Sequence, residues 1–159
     1  MDAIFYYISK ELFVFLVSMV PVVELRGAIP IAMGYGIPTF KAYAIAIAGN
    51  LVPIPFIIAY MKPIFGWIKR HTFLKNIISK IEKRTEKKAD KINKYSLLAL
   101  WIFVAIPLPG TGAWTGAMIA AFMDMRVKKA FPAIALGVVT AGIIVAVVSK
   151  LGITLYNMF

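Results

Sequence analysis

Four long stretches of the chain carry almost no charged side chains, and they determine the predicted architecture. They run from 12 to 36, 42 to 61, 95 to 123 and 130 to 149, and they hold 94 of the 159 residues. A helix needs about 20 apolar residues to cross the hydrocarbon core of a bilayer. The second and fourth stretches have this length and no charge, so each predicts one transmembrane helix. The chain is therefore predicted to be an all-α integral membrane protein.

The first and third stretches are interrupted by residues that disfavour helices. The first contains Pro21, Pro30 and Gly34, and the third has the sequence PLPGTGAWTG at 107–116. Irregular backbone cannot face lipid, because its unpaired polar groups would have no hydrogen-bond partners there. We therefore predict that residues 12–36 and 95–123 each form a re-entrant helix hairpin that is buried in protein.

Composition agrees with a membrane location and excludes several kinds of chemistry. Hydrophobic residues make up 61% of the chain, and the mean hydropathy is +0.83. The absence of cysteine excludes disulfides, thiolate zinc sites and iron–sulfur clusters. The sequence shows no Ser/His/Asp set and no cluster with metal-ligand spacing, so we expect no enzyme activity, no cofactor and no metal site.

Most of the net charge of +11 lies in one segment, at residues 62–94. This segment has eleven basic and three acidic residues, and its apolar side chains recur at helical spacing: Leu74, Ile77, Ile78 and Ile81. The segment predicts an amphipathic cytoplasmic helix on anionic lipid headgroups, with Thr72 as a candidate N-cap. Self-association through the Ile face is the alternative. No groove-reading element accompanies the charge, so we expect no nucleic-acid binding. The lone histidine, His71, is predicted to be solvated.

The order of the stretches repeats, because a broken stretch and a clean helix occur on each side of the basic linker. A shift of 86 residues places Pro21 on Pro107, and a shift of 88 places Gly49 on Gly137. If each broken stretch enters and leaves on one face, the two units have opposite orientations. We therefore predict two inverted repeats, 1–61 and 95–159, an arrangement that many secondary transporters use to build a midplane site.

The positive-inside rule does not separate this arrangement from four straight spans. Hairpins place 14 basic residues inside and 3 outside, whereas straight spans place 13 inside and 4 outside. The preference for hairpins rests on the Pro and Gly interruptions and on the length of the third stretch.

Glu24 and Arg26 are the only charged residues inside any of the four stretches. Charges at that depth are costly and are a functional-site hypothesis by default. In the functional interpretation, Arg26 binds an anionic group and Glu24 tunes Arg26 or carries a proton. In the structural alternative, the pair neutralises itself or ties one hairpin tip to the opposite repeat. Both hold if the pair opens to admit a substrate.

The centre of the third stretch is a candidate anion cradle. Gly110, Thr111 and Gly112 precede a predicted half-helix, and their amides would point toward a phosphate or carboxylate. Thr111 and Thr115 add hydroxyl groups. Alternatively, the glycines only permit a tight turn and close helix packing. Trp114 is a wall of the pocket, an interfacial anchor or a packing residue.

Two motifs of this chain, ELRGAIP at 24–30 and PLPGTGAWTG at 107–116, closely resemble the small multi-drug export protein family. That family is similar to a distant branch of the DedA-like superfamily, also called SNARE-associated or VTT proteins. The resemblance implies a bacterial or archaeal cytoplasmic-membrane protein, with relatives that move undecaprenyl phosphate or scramble phospholipids. The positions carried over by the resemblance are Glu24, Arg26, Pro30, Pro107, Gly110, Thr111, Gly112 and Trp114.

Together these features predict a transporter or flippase for an anionic lipid-linked headgroup, such as undecaprenyl phosphate or a phospholipid, with proton coupling through Glu24. One alternative is a proton-coupled exporter of small drugs. Another is a membrane-organising protein that acts through the basic helix. The expected partners are a membrane lipid and its phosphate, together with protons, and a homodimer would help to enclose the hairpins.

Overall fold

The computed structural model describes residues 2–71, 89–108, 110–156 and 158, with side chains described for 9–67, 95–108, 110–156 and 158. Every regular element in these ranges is a helix, which confirms the predicted all-α class. The helices are α1 (Asp2–Met19), α2 (Glu24–Gly34), α3 (Thr39–Leu51), α4 (Pro53–His71), α5 (Ala89–Ala105), α6 (Ala113–Phe122) and α7 (Val127–Tyr156). The predicted N-cap Thr72 and apolar face of the basic helix lie outside the described residues, as does the side chain of His71.

Two helical segments are long and apolar enough to cross a membrane, as predicted. They are Thr39–Trp67, which consists of α3 and most of α4, and Val127–Tyr156, which is α7; they have 29 and 30 residues. A single non-helical residue, Val52, separates α3 from α4. Pro53 follows it and has no N–H for the carbonyl of Gly49, so the helical ladder is interrupted at that point.

Both helical segments extend beyond the charge-free stretches 42–61 and 130–149 that were predicted as the membrane spans. The predicted ends were placed at lysines, which can extend from a helix end toward polar surroundings while their methylenes stay on apolar surface. The linker boundaries change for the same reason. Helix α4 continues through His71 and α5 begins at Ala89, so both ends of the 62–94 segment are helical.

Each broken stretch forms two helices joined by a short loop. The first loop, residues 20–23, contains Pro21, and the second, residues 106–112, lies at the centre of the PLPGTGAWTG motif. Pro30 was predicted to belong to an interruption, but α2 continues through it to Gly34. The outer helices α1 and α5 also begin before the predicted hairpin starts at 12 and 95. Re-entry into the membrane and the inverted orientation of the halves stay predictions.

The outer helix of each half packs on the long helix of that half through a matching glycine. A Cβ at Gly49 would meet Ser18 Oγ and the carbonyl oxygen of Phe15. A Cβ at Gly137 would lie 2.6 Å from Val104 Cβ and 2.9 Å from the carbonyl oxygen of Trp101. Phe15 and Trp101 are 86 positions apart, as are Ser18 and Val104, whereas the glycines are 88 apart.

The turns that follow the short helices also match at an offset of 88. Ile37 N donates to Ala32 O at 3.0 Å, and Met125 N donates to Ala120 O at 2.9 Å. The turn residues Gly36 and Asp124 both have positive φ, 78° and 54°. Equivalent residues therefore make equivalent contacts in the two halves, and the second half has two more residues than the first between its outer helix and this turn.

The short helices α2 and α6 lie in the interior, which brings the two loops together. Helix α2 packs against α1, α3 and α7, and α6 packs against α4, α5 and α7. The buried face of α6 consists of small residues, and that of α2 contains small residues beside Glu24, Leu25 and Ile29. Small residues allow helix backbones to approach closely. In α2 these include Ala28 and Ala32, and in α6 Gly116, Ala117 and Ala120.

Substitution of Gly137 tests this close packing. We expect Gly137→Ala to lower the free energy of unfolding by about 1 to 3 kcal/mol, because its Cβ would overlap Val104 and the Trp101 carbonyl. Gly152 lies on the same helix, and a Cβ at that position would have no atom within 4 Å, so Gly152→Ala should leave stability unchanged. Thermal unfolding in detergent measures both, and equal melting temperatures for the two variants would contradict the proposed packing.

Candidate functional site

The loops of the two halves enclose an open cavity of about 620 Å³. Its walls come from the start of α2, from the second loop and from the first turn of α6. The lining residues are Pro21, Val22, Val23, Glu24, Arg26, Gly27, Pro107, Gly110, Gly112 and Thr115. The cavity therefore contains both charged residues of the apolar stretches.

Glu24 binds the beginning of α6 in the opposite half. Its side chain is buried, and Oε1 accepts a hydrogen bond from Trp114 N at 3.2 Å. The first residues of a helix have backbone N–H groups without intrahelical partners, and the helix dipole favours a negative charge there. The residue at the N-cap is Gly112, which has no side chain to supply that cap. The carboxylate of Glu24 supplies it from the first half.

The backbone at Glu24 is held in an unusual conformation. Its φ is +49°, in the left-handed region that costs a non-glycine residue roughly 1 to 2 kcal/mol. Such strain persists only where the surroundings compensate for it, and it clusters at functional sites. The hydrogen bond from Trp114 and the burial against Gly112 provide that compensation.

Arg26 binds the second loop through its main-chain carbonyls. Nη1 donates to Leu108 O, and Nη2 donates to Ile106 O at 3.1 Å and to Thr111 O. Nη2 also lies 3.1 Å from Thr111 Oγ1. The guanidinium is a rigid fork of donors, so one side chain can hold several carbonyls that point to a common centre.

Thr111 holds the second loop in the shape that Arg26 binds. Its Oγ1 lies 2.6 Å from Ile106 O and 2.9 Å from Leu108 O, and it accepts from Leu108 N at 3.3 Å. The neighbouring Gly110 has a φ of +86°, a conformation that favours glycine. The loop therefore needs both a hydroxyl at 111 and a glycine at 110.

Trp114 ties α6 to the end of α1. Its indole Nε1 donates to Met19 O at 3.0 Å, one of the last carbonyls of α1. Trp114 is not among the residues that line the cavity. This contact adds a hydrogen bond between the halves to those that Glu24 and Arg26 make.

The structure brings together most of the predicted site residues. Six of them line the cavity: Glu24, Arg26, Pro107, Gly110, Gly112 and Thr115. Thr111 and Trp114 contact the same loops without lining it. Pro30 does not line the cavity, because it lies within α2 beyond the first turn. Four lining residues were not predicted, although they flank Glu24 and Arg26 directly: Pro21, Val22, Val23 and Gly27.

A carboxylate of the chain itself lies next to the predicted anion cradle. The prediction is that the amides of residues 110–112 bind an external phosphate together with Arg26. Glu24 Oε1 accepts from Trp114 N, two residues beyond these amides, and Arg26 binds carbonyls. Among the ion pairs of the described residues, none joins Glu24 to Arg26. The part of the chain that the structure describes also has no group of three His, Asp or Glu residues that could hold a metal.

Comparison with known proteins agrees with the motifs on both loops. The model of the family described as "Putative small multi-drug export protein" matches residues 24–144, which begin at Glu24 and include the second loop and most of α7. No curated protein and no solved structure matches the chain. The family description indicates membrane transport rather than enzyme catalysis. Since the match covers more than half of the sequence, the chain belongs to the small multi-drug export protein family.

Proposed function

We propose that the protein is a secondary transporter whose substrate binds in the cavity between the two loops. The observation that carries this proposal is that Glu24 and Arg26 of the first half both form hydrogen bonds with the second half. Both residues leave the same turn of α2, and each bonds the opposite half at the wall of an open cavity. A substrate that competes for these bonds would separate the halves on binding. Family membership supports transport independently.

The proposed substrate is an anionic amphiphile such as undecaprenyl phosphate or a phospholipid. A phosphate offers the acceptor oxygens that Arg26 and the first amides of α6 would bind. Arg26 Nε supports this assignment, because it is a buried donor without a hydrogen-bond partner. The kinship with the DedA-like superfamily belongs to the same proposal.

Glu24 is the proposed coupling residue. When the substrate phosphate occupies the amides of α6, the Glu24 carboxylate loses its hydrogen bond with Trp114. A buried carboxylate that loses its partners takes up a proton, because burying an unpaired charge is costly. Substrate binding would then be linked to proton uptake, and return of Glu24 to α6 would release both.

The proposed membrane arrangement is a pair of inverted repeats with re-entrant hairpins, in a bacterial or archaeal cytoplasmic membrane. The matching contacts of Gly49 and Gly137 support two equivalent halves. The short lengths of α2 and α6, 11 and 10 residues, support hairpins that do not reach across the bilayer. A homodimer and a role of the basic helix in membrane organisation are secondary hypotheses.

The sign of the effect of Glu24→Gln tests the substrate charge. Glutamine keeps an oxygen for Trp114 N but removes the competing negative charge. We expect Glu24→Gln to tighten the binding of dodecyl phosphate at least about fivefold, or ~1 kcal/mol, in calorimetric titrations of the purified protein. Glu11→Gln is the matched control, because Glu11 is bound to Lys41 outside the cavity. Unchanged or weaker binding in Glu24→Gln would contradict an anionic substrate.

A cationic drug is the second candidate, and the family description together with the cavity carboxylate favours it. In that case Glu24 is the counter-ion of the substrate. Glu24→Gln would then abolish binding of tetraphenylphosphonium and leave dodecyl phosphate unbound. The two candidates therefore predict opposite results from one variant.

A further inference from the structure

A second, apolar groove lies between α5 and α7, away from the loops. Its volume is about 380 Å³. Apart from Lys129, its lining side chains are apolar or aromatic, and they include Tyr95, Leu97, Leu98, Trp101 and Leu136. The proposed transport cycle uses none of these residues.

The groove has one polar end, which lies toward the N-terminal ends of α5 and α7. Trp101 Nε1 is 3.3 Å from Thr140 Oγ1, and the Trp101 carbonyl packs beside Gly137. Tyr95 precedes Trp101 by six residues and Lys129 precedes Gly137 by eight, and both line the groove. The two helices therefore run in the same direction, with Tyr95 and Lys129 at one end. An aromatic hydroxyl and a lysine at the end of an apolar surface are typical of a membrane interface.

The first half of the protein contains an equivalent lysine, and that lysine is paired with a carboxylate. Lys41 is equivalent to Lys129 at the offset of 88 that relates α3 to α7. Lys41 Nζ lies 2.5 Å from Glu11 Oε1. At the offset of 86 that relates α1 to α5, the equivalent of Glu11 is Leu97. The second half has therefore kept the lysine and replaced its carboxylate with an apolar side chain that lines the groove.

Among the side chains that the structure describes, no carboxylate near Lys129 replaces Glu11. Asp124, at the turn before α7, binds Lys62 at 3.0 Å. The ion pairs of the described residues include none that involves Lys129. Arg126 and Lys128 are exposed beside it, so positive charge accumulates where the first half has a neutral pair.

We propose that an anionic phospholipid binds this groove, with its phosphate on Lys129 and an acyl chain along Leu98, Trp101 and Leu136. The lipid phosphate takes the place that the Glu11 carboxylate has in the first half. A free anion would satisfy Lys129 but would leave the apolar groove empty, so the two parts together select a lipid. This site lies outside the proposed transport cavity and goes beyond the proposed transport function.

Native mass spectrometry of the purified protein tests the site by titration with phosphatidylglycerol and phosphatidylcholine of identical acyl chains. We expect phosphatidylglycerol to bind the wild-type protein more tightly than phosphatidylcholine. Lys129→Gln should weaken phosphatidylglycerol about fivefold, the effect of one basic residue at an anionic membrane surface. Leu97→Glu should weaken it at least as much, because it restores the carboxylate that the first half has at this position.

Two controls separate the charge from the shape of the groove. Leu97→Gln introduces the same side-chain length without a charge, and it should retain most of the preference for phosphatidylglycerol. Lys41→Gln removes the equivalent lysine of the first half and should leave lipid binding unchanged. The proposal is overturned if Leu97→Glu binds phosphatidylglycerol like the wild type, if Lys41→Gln weakens it as much as Lys129→Gln, or if inorganic phosphate displaces the lipid completely.

Discussion

Arg26→Ala is expected to abolish transport and to lower the free energy of unfolding by roughly 3 kcal/mol. The guanidinium holds Ile106 O, Leu108 O and Thr111 O, and its removal leaves these carbonyls without that donor inside the cavity wall. Hydrogen bonds to charged groups are stronger than neutral ones, and this variant loses three of them at once, of which the bond to Thr111 O is part-buried. Thermal unfolding in detergent and uptake into proteoliposomes measure the two losses separately.

One further variant separates the positive charge of Arg26 from the geometry of its guanidinium, and a second variant is a control. Arg26→Lys keeps the charge but replaces the planar fork with a single ammonium, which cannot reach all three carbonyls at once. We expect it to recover part of the stability and little of the transport. Arg126→Ala is the matched control, because Arg126 is exposed on the turn before α7. If Arg26→Ala unfolds at the wild-type temperature, Arg26 does not hold the second loop.

The hydrophobic pattern of the sequence predicted the elements because lipid and protein interiors both reject charge. The two long helices follow from that pattern, whereas the loops at Pro21 and at 106–112 follow from the Pro and Gly residues that interrupt it. Helix ends were predicted less well, because Lys41 lies in the first turn of α3 and Lys62 lies in the middle of α4. The charge pattern marked these lysines as boundaries, but a lysine does not end a helix.

The candidate site was predictable for the same reason, but its bonding was not. Glu24 and Arg26 stand out because they are charges in apolar sequence. The partners of Arg26 are main-chain carbonyls, which every residue has, so no side-chain pattern marks them. The sequence also left open whether the pair binds a substrate or ties the two repeats together. In the structure, hydrogen bonds of Glu24 and Arg26 join the two halves, and the proposed transport cycle requires these bonds to break.

Gly112→Ala is expected to expel Glu24 from the beginning of α6. A Cβ at this position would lie 2.5 Å from Glu24 Cδ and closer still to both carboxylate oxygens. The backbone of Gly112 is extended, with a φ of −133°, so alanine is not strained by its own conformation. The atoms that the new Cβ meets are the end of the Glu24 side chain, which moves away, so the lost helix cap should lower the free energy of unfolding by about 1 to 2 kcal/mol.

A double-mutant cycle with Glu24→Ala assigns that loss to the carboxylate. In a Glu24→Ala background the space beside Gly112 is vacant, so Gly112→Ala should cost less than about 0.5 kcal/mol. Gly34→Ala is the control for a glycine replacement, because a Cβ at that position would have no atom within 4 Å. If Gly112→Ala lowers the free energy of unfolding equally in both backgrounds, its effect does not depend on the Glu24 carboxylate. A large coupling energy instead means that the carboxylate fills the space beside Gly112, and any anion that enters at α6 must displace it.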